Sequence, residues 1–398
     1  MSKLETFSTA TPNPLGIYLD HHSTTPVDPR VANAVLRAMV EEFGNANSVD
    51  HAYGEIARSK VNNAKECLAD LVNCDPTDIH FTSGSTEAIL LAISHAIGIA
   101  SKLPLKISLS RVEHPALLDA ARRAEQLGLA ELTWISVGPD ASVNMRDIHA
   151  ALDAGCDLLC IMAANNEVGT IYPIAEIAEL AATRNVAMLV DATQSIGRIP
   201  LDLLEMPIEY VVVSAHKIYG PKGIGGALIS TSYDQSNVYG LTAVHEATPN
   251  VPGIVGFGEA CKIVSEEGAA ENVRLAGLRD KLQTMLTSVL PDMVVNGQQD
   301  LRLPHNLHFS VPGVPNDLLV QRLRRRVALS TGAACMSGAQ SASHVLVAMG
   351  GLPQGLQDSA LRIGLGRGTT DEDIMIAARE IIAAIRDLQS VLREHTHG

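Results

Sequence analysis

Short apolar runs alternate with longer amphipathic segments through the first two thirds of the chain, and this alternation constrains the fold most strongly. The predicted strands are residues 79–82, 105–109, 132–137, 158–163, 187–190 and 210–214. The predicted helices between them include residues 86–101, 115–127 and 174–184. Strands separated by helices join through right-handed crossovers, which produce a mostly parallel sheet with helices on both faces. We therefore predict an α/β fold whose ligands bind beyond the carboxyl ends of the strands.

The pattern changes after Gly253. The sequence there predicts a long helix over about residues 256–290, a strand at 306–310, and helices at 316–326 and 371–393. This order is typical of a smaller α+β domain packed against the first. We expect a large domain of residues 16–255 and a small domain formed by residues 1–15 and 256–398.

The composition narrows the class of protein. Lys and Arg total 30 against 44 Asp and Glu, a formal net charge of −14, and aromatic residues make up only 3%. Both values disfavour a broad nucleic-acid surface, so we expect no direct nucleic-acid binding. The sequence shows no apolar segment typical of a secretory signal or long enough to span a bilayer. Six cysteines in this context indicate reduced thiols, and we expect a cytoplasmic protein that does not enter a membrane.

Two predicted strands end in residues that together favour pyridoxal 5′-phosphate chemistry. Asp191 and Gln194 follow one strand, and Ser214, His216 and Lys217 end another. A lysine amine forms the Schiff base with this cofactor, and an aspartate keeps its pyridine nitrogen protonated. For either residue alone, a solvated strand-end lysine or a turn aspartate is the better explanation. Their combination at neighbouring strand ends makes the cofactor site the sharper hypothesis.

A turn of small residues follows the predicted strand 79–82. Backbone N–H groups of Gly84, Ser85 and Thr86 at a helix N-terminus would form a cradle for a phosphate group. The alternative is an ordinary helix cap with Glu87 in the first turn. The turn lacks the Gly-Lys-Ser/Thr of a Walker A loop and the Gly-x-Gly-x-x-Gly of a dinucleotide site.

Three further residues are candidates for chemistry near these strand ends. His114 follows the strand 105–109, where an imidazole can move protons near neutral pH. Asn166 lies just past the strand 158–163, where its amide can bind a carboxylate. Cys335 lies in a run of small residues that is poorly suited to burying it, which favours a nucleophile. The alternatives are a structural histidine, an ordinary turn and an incidental thiol. None of the cysteines has paired zinc-ligand spacing, so we expect no metal.

Taken in order, these motifs resemble the NifS/IscS-like cysteine desulfurases, within the fold-type I, class-V aminotransferase-like pyridoxal phosphate enzymes. The resemblance extends from residue 18 to residue 367. The segments that carry it are Tyr18-Leu-Asp-His-His-Ser-Thr-Thr-Pro-Val-Asp-Pro, Phe43-Gly-Asn-Ala-Asn-Ser, Phe81-Thr-Ser-Gly-Ser-Thr-Glu, Glu113-His114, Asn165-Asn-Glu-Val-Gly, Asp191-Ala-Thr-Gln-Ser, Ser214-Ala-His-Lys-Ile-Tyr-Gly-Pro-Lys-Gly, Ser330-Thr-Gly-Ala-Ala-Cys and Leu361-Arg-Ile-Gly-Leu-Gly-Arg.

The resemblance implies a role for each of these residues. Lys217 would form the Schiff base, Cys335 would attack the substrate sulfur, and His114 would stack on the cofactor ring and shuttle protons. The implied cofactor-binding residues are Ser85, Thr86, Asp191, Gln194, Ser214, His216 and Thr248. Among these, Asp191 would pair with the pyridinium nitrogen and Gln194 with the ring hydroxyl. Asn166 and Arg362 would bind the substrate carboxylate, Arg362 as a bidentate fork.

The implied reaction converts L-cysteine to L-alanine and leaves the sulfur on Cys335 as a persulfide. An acceptor protein would then take the sulfur, as in iron–sulfur assembly, tRNA thiolation or DNA phosphorothioation. The resemblance also implies a homodimer, with Cys335 carried on a loop of the small domain. Two alternatives remain open, namely another fold-type I enzyme (an aminotransferase or selenocysteine lyase) in which Cys335 is incidental, and a degenerate scaffold of a sulfur pathway.

The sequence departs from the family pattern after the lysine-bearing motif. Relatives carry a stretch ending in Arg-Ser-Gly-Thr, whereas here Thr248 remains but no Lys or Arg occurs between Gly223 and Cys261. The missing arginine suggests weaker retention of the cofactor or a reshaped mouth of the site. His21 and His22 also stand where small amides are common, which suggests a specialised branch with a dedicated acceptor.

A basic cluster is formed by Arg322, Arg324, Arg325 and Arg326. It fits a solvated helix face, or else a docking patch for an acidic partner.

Overall fold

The computed structural model describes residues 15–230, 248–332 and 343–396. Within them the strands are β1 (Ile17–Tyr18), β2 (Ile79–Thr82), β3 (Leu105–Ser110), β4 (Ala130–Ile135), β5 (Leu158–Cys160), β6 (Ala187–Asp191), β7 (Tyr210–Ser214), β8 (Gly225–Ile229), β9 (Val294–Val295), β10 (Asn306–Ser310), β11 (Val327–Ala328) and β12 (Ala360–Gly364). The helices are α1 (Pro29–Val40), α2 (Ala52–Val72), α3 (Ser85–Ile99), α4 (Pro115–Gln126), α5 (Met145–Asp153), α6 (Ile174–Ala182), α7 (Val251–Thr287), α8 (Asn316–Leu323), α9 (His344–Met349), α10 (Gln354–Gln357) and α11 (Asp371–Thr396). Cys335 and its neighbours 333–342 lie outside the described residues.

A seven-stranded sheet forms the centre of the fold, in the order β2-β8-β7-β6-β5-β3-β4. The strands from β4 to β7 pair in parallel, and β8 runs antiparallel between β7 and β2. The predicted mostly parallel α/β fold is therefore confirmed, with the boundaries of most predicted strands shifted by three residues or fewer.

Strand β8 was not predicted, because its two glycines lower strand propensity. Gly225 is required there by close backbone approach. A Cβ at this position would lie 2.6 Å from the carbonyl oxygen of Val213 and 2.7 Å from the Cα of Gly84. The glycine thus lets β8 pass directly beneath the turn that precedes α3.

Apolar side chains cover both faces of the sheet, as expected for buried parallel strands. Val211 and Val213 of β7 belong to a cluster on one face, whereas Val212 belongs to a cluster on the other. A third cluster joins α7 and α11 to the three-stranded sheet β12-β10-β9. No helix within the described residues is long and apolar enough to cross a membrane.

Helix α7 connects the large sheet to the C-terminal part of the chain. Its residues from Ile254 to Val264 pack in the first cluster, and those from Leu275 to Leu286 pack in the third. The division predicted at residue 255 therefore falls inside one continuous helix. Strand β1 pairs in parallel with β11, so the residues around Ile17 lie against the C-terminal part. The exact domain boundaries stay a prediction.

A buried ionic network lies where α7 passes between these clusters. The carboxylate of Glu271 accepts hydrogen bonds from Arg198 Nη1, Tyr219 Oη and Arg367 Nε, each at 2.7 Å. The side chains of Glu271 and Arg198 are only 6% and 5% exposed. Arg367 also contacts Asp28 at 2.5 Å, so the network joins the start of α1, the turn after β7, α7 and the turn after β12. Two guanidinium groups and one hydroxyl thus donate hydrogen bonds to the same buried carboxylate.

We expect Glu271→Ala to lower the free energy of unfolding by about 3–5 kcal/mol, because it leaves the buried Arg198 guanidinium without its counter-ion. Glu267→Ala, four residues earlier in α7, is the matched control. Its ion pair with Arg30 has side chains 43% and 47% exposed and should contribute about 1 kcal/mol or less. Urea unfolding of both variants measures the difference. Equal losses would show that the network does not stabilise the junction.

Candidate active site

The carboxyl ends of β5, β6 and β7 open onto a cavity of about 190 Å³. Nine of the residues predicted for the site line it together: Ser85, Thr86, His114, Asn166, Asp191, Gln194, His216, Lys217 and Arg362. Parallel strands place their carboxyl ends at one edge of a sheet, and this edge gathers residues that lie far apart in sequence.

Lys217 and Asp191 occupy neighbouring strand ends. Asp191 is the last residue of β6, and its Oδ1 accepts a hydrogen bond from the backbone N–H of Thr193 at 2.9 Å. Lys217 ends the single 3₁₀ turn that follows β7. Its Nζ donates to the carbonyl oxygens of His22 and Ser23, the latter at 3.0 Å. These contacts hold the amine at the cavity wall.

The N-terminus of α3 forms the end of the cavity suited to an anion. Its N-cap residue, Gly84, has φ of 152° and provides no side-chain cap, so the first-turn N–H groups of Ser85 and Thr86 have no capping side chain. Glu87 instead accepts from the backbone N–H of Ser83 at 2.5 Å. An uncapped helix N-terminus is a natural phosphate site.

His216 lies beside this anion site as a neutral ring. Burial, with help from Lys217 and Lys222, lowers the pKa of His216 to about 4. Its Nδ1 lies 3.1 Å from Thr24 Oγ1. The imidazole therefore contributes a hydrogen-bonding nitrogen rather than a charge at neutral pH.

Three predicted residues are not placed in the cavity. Ser214 is 2% exposed in β7 and is not among the lining residues. Thr248 lines a separate groove, together with Ser83 and Glu87. Cys335 lies outside the described residues, so its predicted place in the site is not tested.

Arg362 and Asn166 form one wall of the cavity. Arg362 is 3% exposed on β12. Its Nη1 donates to the carbonyl oxygen of Asn166 at 2.9 Å, and its Nη2 donates to Asp20 Oδ1 at 3.0 Å and Ser23 Oγ at 2.8 Å. Three of the five guanidinium N–H groups are therefore used. Arg362 Nε and Asn166 Oδ1 are buried without a partner among the described residues.

His114 caps α4 and faces the cavity in a defined tautomer. Its Nδ1 accepts from the backbone N–H of Ala116 at 3.2 Å, which places the proton of the neutral ring on Nε2. Burial lowers the pKa of His114, and the nearby Asp191 carboxylate opposes this effect. The preceding Glu113 is fully buried, and burial raises its pKa to about 8. Both side chains are therefore neutral at pH 7.

The described residues on either side of segment 333–342 attach to this same wall. Before it, Ser330 exchanges backbone hydrogen bonds with Arg362, at 3.2 and 2.7 Å. After it, Ser343 Oγ donates to the buried Glu167 carboxylate, and His344 Nε2 lies 3.0 Å from the carbonyl oxygen of Glu113. The two ends of the segment that carries Cys335 thus lie next to Asn166, Arg362 and His114.

Five lining residues were not predicted from the sequence as site residues: His22, Ser23, Met162, Ala164 and Thr193. His22 hydrogen-bonds Gln194, with 3.1 Å between His22 Nδ1 and Gln194 Oε1. A signal for His22 existed in its unusual place in the first motif. Thr193 lies between Asp191 and Gln194, and nothing in the sequence distinguished it.

The residues present fit pyridoxal 5′-phosphate. Besides the amine, the carboxylate and the uncapped helix N-terminus, the lining residues Thr193, Asn166 and Arg362 each have a buried polar atom without a partner among the described residues. Buried polar groups in proteins are normally satisfied. A polar, phosphate-bearing ring in this cavity would provide partners for such atoms.

Known proteins share both this sequence and this fold. The model of the family Aminotransferase class-V matches residues 17–376. Cysteine desulfurase IscS of Pseudomonas savastanoi pv. phaseolicola is 39% identical over 388 residues, which cover 95% of this chain and 94% of that protein. Cysteine desulfurase IscS of Azotobacter vinelandii is 38% identical over 392 residues with the same coverage.

Solved structures give the same result. A NifS-like protein superposes with a TM-score of 0.85 at 29% identity, covering 94% of this chain and 100% of its own. DndA from Streptomyces lividans has a TM-score of 0.72 at 33% identity, covering 87% of this chain and 99% of DndA. The chain therefore belongs to the class-V aminotransferase family of pyridoxal 5′-phosphate enzymes and, within it, to the cysteine desulfurases of the NifS/IscS type.

Proposed function

We propose that the chain converts L-cysteine to L-alanine, with the sulfur held as a persulfide on Cys335 before transfer to an acceptor protein. The observation that carries the proposal is the joint placement of Lys217, Asp191 and Arg362 around one cavity. The attachment of both ends of the Cys335-bearing segment to the wall of that cavity supports it further.

Pyridoxal 5′-phosphate, when bound, supplies a ring that accepts the electron pair released at the substrate Cα. Lys217 would hold the cofactor covalently and then move the Cα proton with its amine. Asp191 would accept the hydrogen bond of the ring nitrogen, and Gln194 would bind the ring oxygen. Ser85, Thr86 and His216 would hold the phosphate, with Ser214 beneath them and Thr248 reaching it from the partner subunit.

Arg362 would bind the substrate carboxylate with the donors that the protein leaves available. Asp20 and Ser23 hold its Nη2, so the guanidinium is fixed before substrate arrives. Asn166, whose carbonyl oxygen accepts from the same guanidinium, would add an amide donor beside it. Fixing the carboxylate at this wall would orient the substrate so that its Cα proton comes within reach of the Lys217 amine, which bonds to the same Ser23 as Arg362.

The sulfur step requires a thiolate and a place for its proton. The Cys335 thiolate attacks the substrate Sγ, the new S–S bond forms, and the Cβ–Sγ bond breaks. The Cβ carbon takes the electron pair and is protonated, so that alanine leaves and the persulfide remains. His114, neutral through burial and protonated on Nε2, would give this proton to the Cβ carbon and take the thiol proton on the same nitrogen in exchange.

Replacing Cys335 tests the proposed persulfide. We expect alanine release from L-cysteine with added reductant in the native protein, and a decrease of at least about 100-fold in Cys335→Ser, because serine cannot form a persulfide. Cys74→Ser, a half-buried free thiol outside the cavity, is the control and should retain full activity.

The other outcomes identify the alternatives. Equal alanine from the native protein and Cys335→Ser would make the thiol incidental and favour a lyase. No alanine from either protein, with cofactor bound, would favour an aminotransferase or a scaffold.

A change at Arg362 that keeps the positive charge tests the proposed carboxylate site. Arg362→Lys should lower kcat/KM for L-cysteine by roughly 10- to 100-fold, since an ammonium cannot keep the contacts to Asn166, Asp20 and Ser23 and also donate to the substrate carboxylate. The loss should appear mainly in KM, while the absorbance of bound cofactor stays unchanged. A variant that loses the cofactor instead would show that Arg362 supports the fold of the site rather than the substrate.

The acceptor is proposed only by class, as a protein that takes sulfur in iron–sulfur assembly, tRNA thiolation or DNA phosphorothioation. The basic cluster is a candidate docking patch on and after α8. There Arg322 pairs with Asp387 and Arg326 pairs with Glu380, and the side chain of Arg326 is 68% exposed. We also propose a cytoplasmic location, which the five free cysteines of the described chain support.

We propose a homodimer built around the exposed apolar residues between α1 and α2. Phe43 and Tyr53 are 64% and 55% exposed, and their ring centroids lie 5.4 Å apart. Nearby Met39, Val40 and Val49 are also largely exposed. Exposed large apolar side chains grouped in one segment of the chain favour a protein interface there.

A charge introduced at Phe43 tests this interface. Phe43→Asp should shift the mass measured by light scattering from dimer toward monomer, because a charge is poorly tolerated at an interface core. Leu204→Asp, at an exposed leucine outside this segment, is the control and should remain dimeric. A native protein that is monomeric at micromolar concentration would contradict the proposal.

A further inference from the structure

His22 lines the cavity and is almost completely buried. The residue is 1% exposed, and its ring stacks on that of His305 with centroids 4.2 Å apart and planes inclined by 28°. Packing around the ring is tight, since a Cβ at Gly364 would lie 2.6 Å from His22 Cδ2. The packed ring must therefore form its hydrogen bonds in this orientation.

The contacts of Asn306 determine the tautomer of His22. Asn306 Nδ2 lies 2.9 Å from the carbonyl oxygen of Glu167 and 3.1 Å from His22 Nε2. A carbonyl oxygen only accepts, so this end of the amide is the NH₂ group. His22 Nε2 must then accept, and the proton of the neutral ring lies on Nδ1.

The neutral state of this ring follows from its surroundings. Burial lowers the pKa of His22 well below its ordinary value, and the cationic groups of Arg362, Lys217 and Arg198 lower it further. The stacked His305 is likewise buried, with its pKa lowered well below the ordinary value by burial first and then by His22. A single proton on Nδ1 is therefore the state that the interior stabilises.

This proton orients the amide of Gln194. His22 Nδ1–H donates to Gln194 Oε1 at 3.1 Å, and Gln194 Nε2 donates to the carbonyl oxygen of His22, also at 3.1 Å. Both bonds require the same amide orientation. The oxygen of Gln194 is thereby engaged away from the cavity, and the second hydrogen on Nε2 is the polar group left for a ligand.

We propose that His22 is a positioning residue that fixes Gln194 as a hydrogen-bond donor, rather than an acceptor, toward the ring oxygen of pyridoxal 5′-phosphate. The inference rests on the proposed function and assigns His22 a task within it. The ring oxygen carries the most negative charge when the nitrogen that links Lys217 to the cofactor is unprotonated. A hydrogen bond donated to this oxygen therefore stabilises the unprotonated form more than the protonated form. The Gln194 donor therefore makes this nitrogen lose its proton at lower pH.

The test is the pH midpoint of the absorption change of the Lys217-linked cofactor. His22→Phe keeps an aromatic ring to stack on His305 but removes both nitrogens, so Gln194 Oε1 loses its donor and only the bond from Gln194 Nε2 to the backbone carbonyl of residue 22 still opposes an inward turn of the oxygen. We expect the midpoint to rise by about one pH unit. His22→Asn, whose amide can donate in place of Nδ1–H, should keep the native midpoint.

His305→Leu is the matched control, because it perturbs the same stacked pair without touching Gln194. It should lower thermal stability and leave the midpoint unchanged. The inference is overturned if His22→Phe leaves the midpoint at the native value, or if His305→Leu moves it equally. A native protein that forms no cofactor linkage at Lys217 would overturn the proposed function, and the inference with it.

Discussion

The parallel pairing of β5, β6 and β7 is the constraint on which the site depends. Because these strands run in one direction, the residues that follow each of them emerge at the same edge of the sheet. Asn166, Asp191 and Lys217 reach one cavity for this reason alone. An antiparallel pair among these three strands would send one of the residues to the opposite edge, and the amine would lose its carboxylate neighbour.

The C-terminal part of the chain completes the cavity from the other side. Arg362 arrives on β12, and its guanidinium bonds to Asn166, Asp20 and Ser23, so the two parts meet through the residue proposed to bind substrate. The Glu271 network holds the same junction one layer further from the cavity. The geometry of substrate binding is therefore coupled to the packing of α7 between the two parts.

Much of the fold could be predicted because its strands carry a local pattern. The runs at 79–82, 210–214 and 306–310 match the observed strands residue for residue, since each is apolar, β-branched or bounded by turn residues. The glycine-rich β8 escaped prediction because its place depends on a backbone contact with Gly84, which no local pattern encodes. Helix α7 begins earlier than predicted, at Val251, where Asn250 caps it and Pro252 lies in its first turn.

The sequence alone determined which chemical groups are available and that most of them follow strands. Lys217, Asp191 and His114 were identifiable because they occur together after predicted strands, and Arg362 because the ordered motifs resemble a known family, although each residue alone fits a structural role. Only the tertiary structure decided their states and orientations. Burial makes His114 and His216 neutral, and Asn306, more than 280 residues away in sequence, places the proton on His22. These properties depend on the contacts and dielectric environment that appear when distant segments pack together, so no single segment of the sequence carries them.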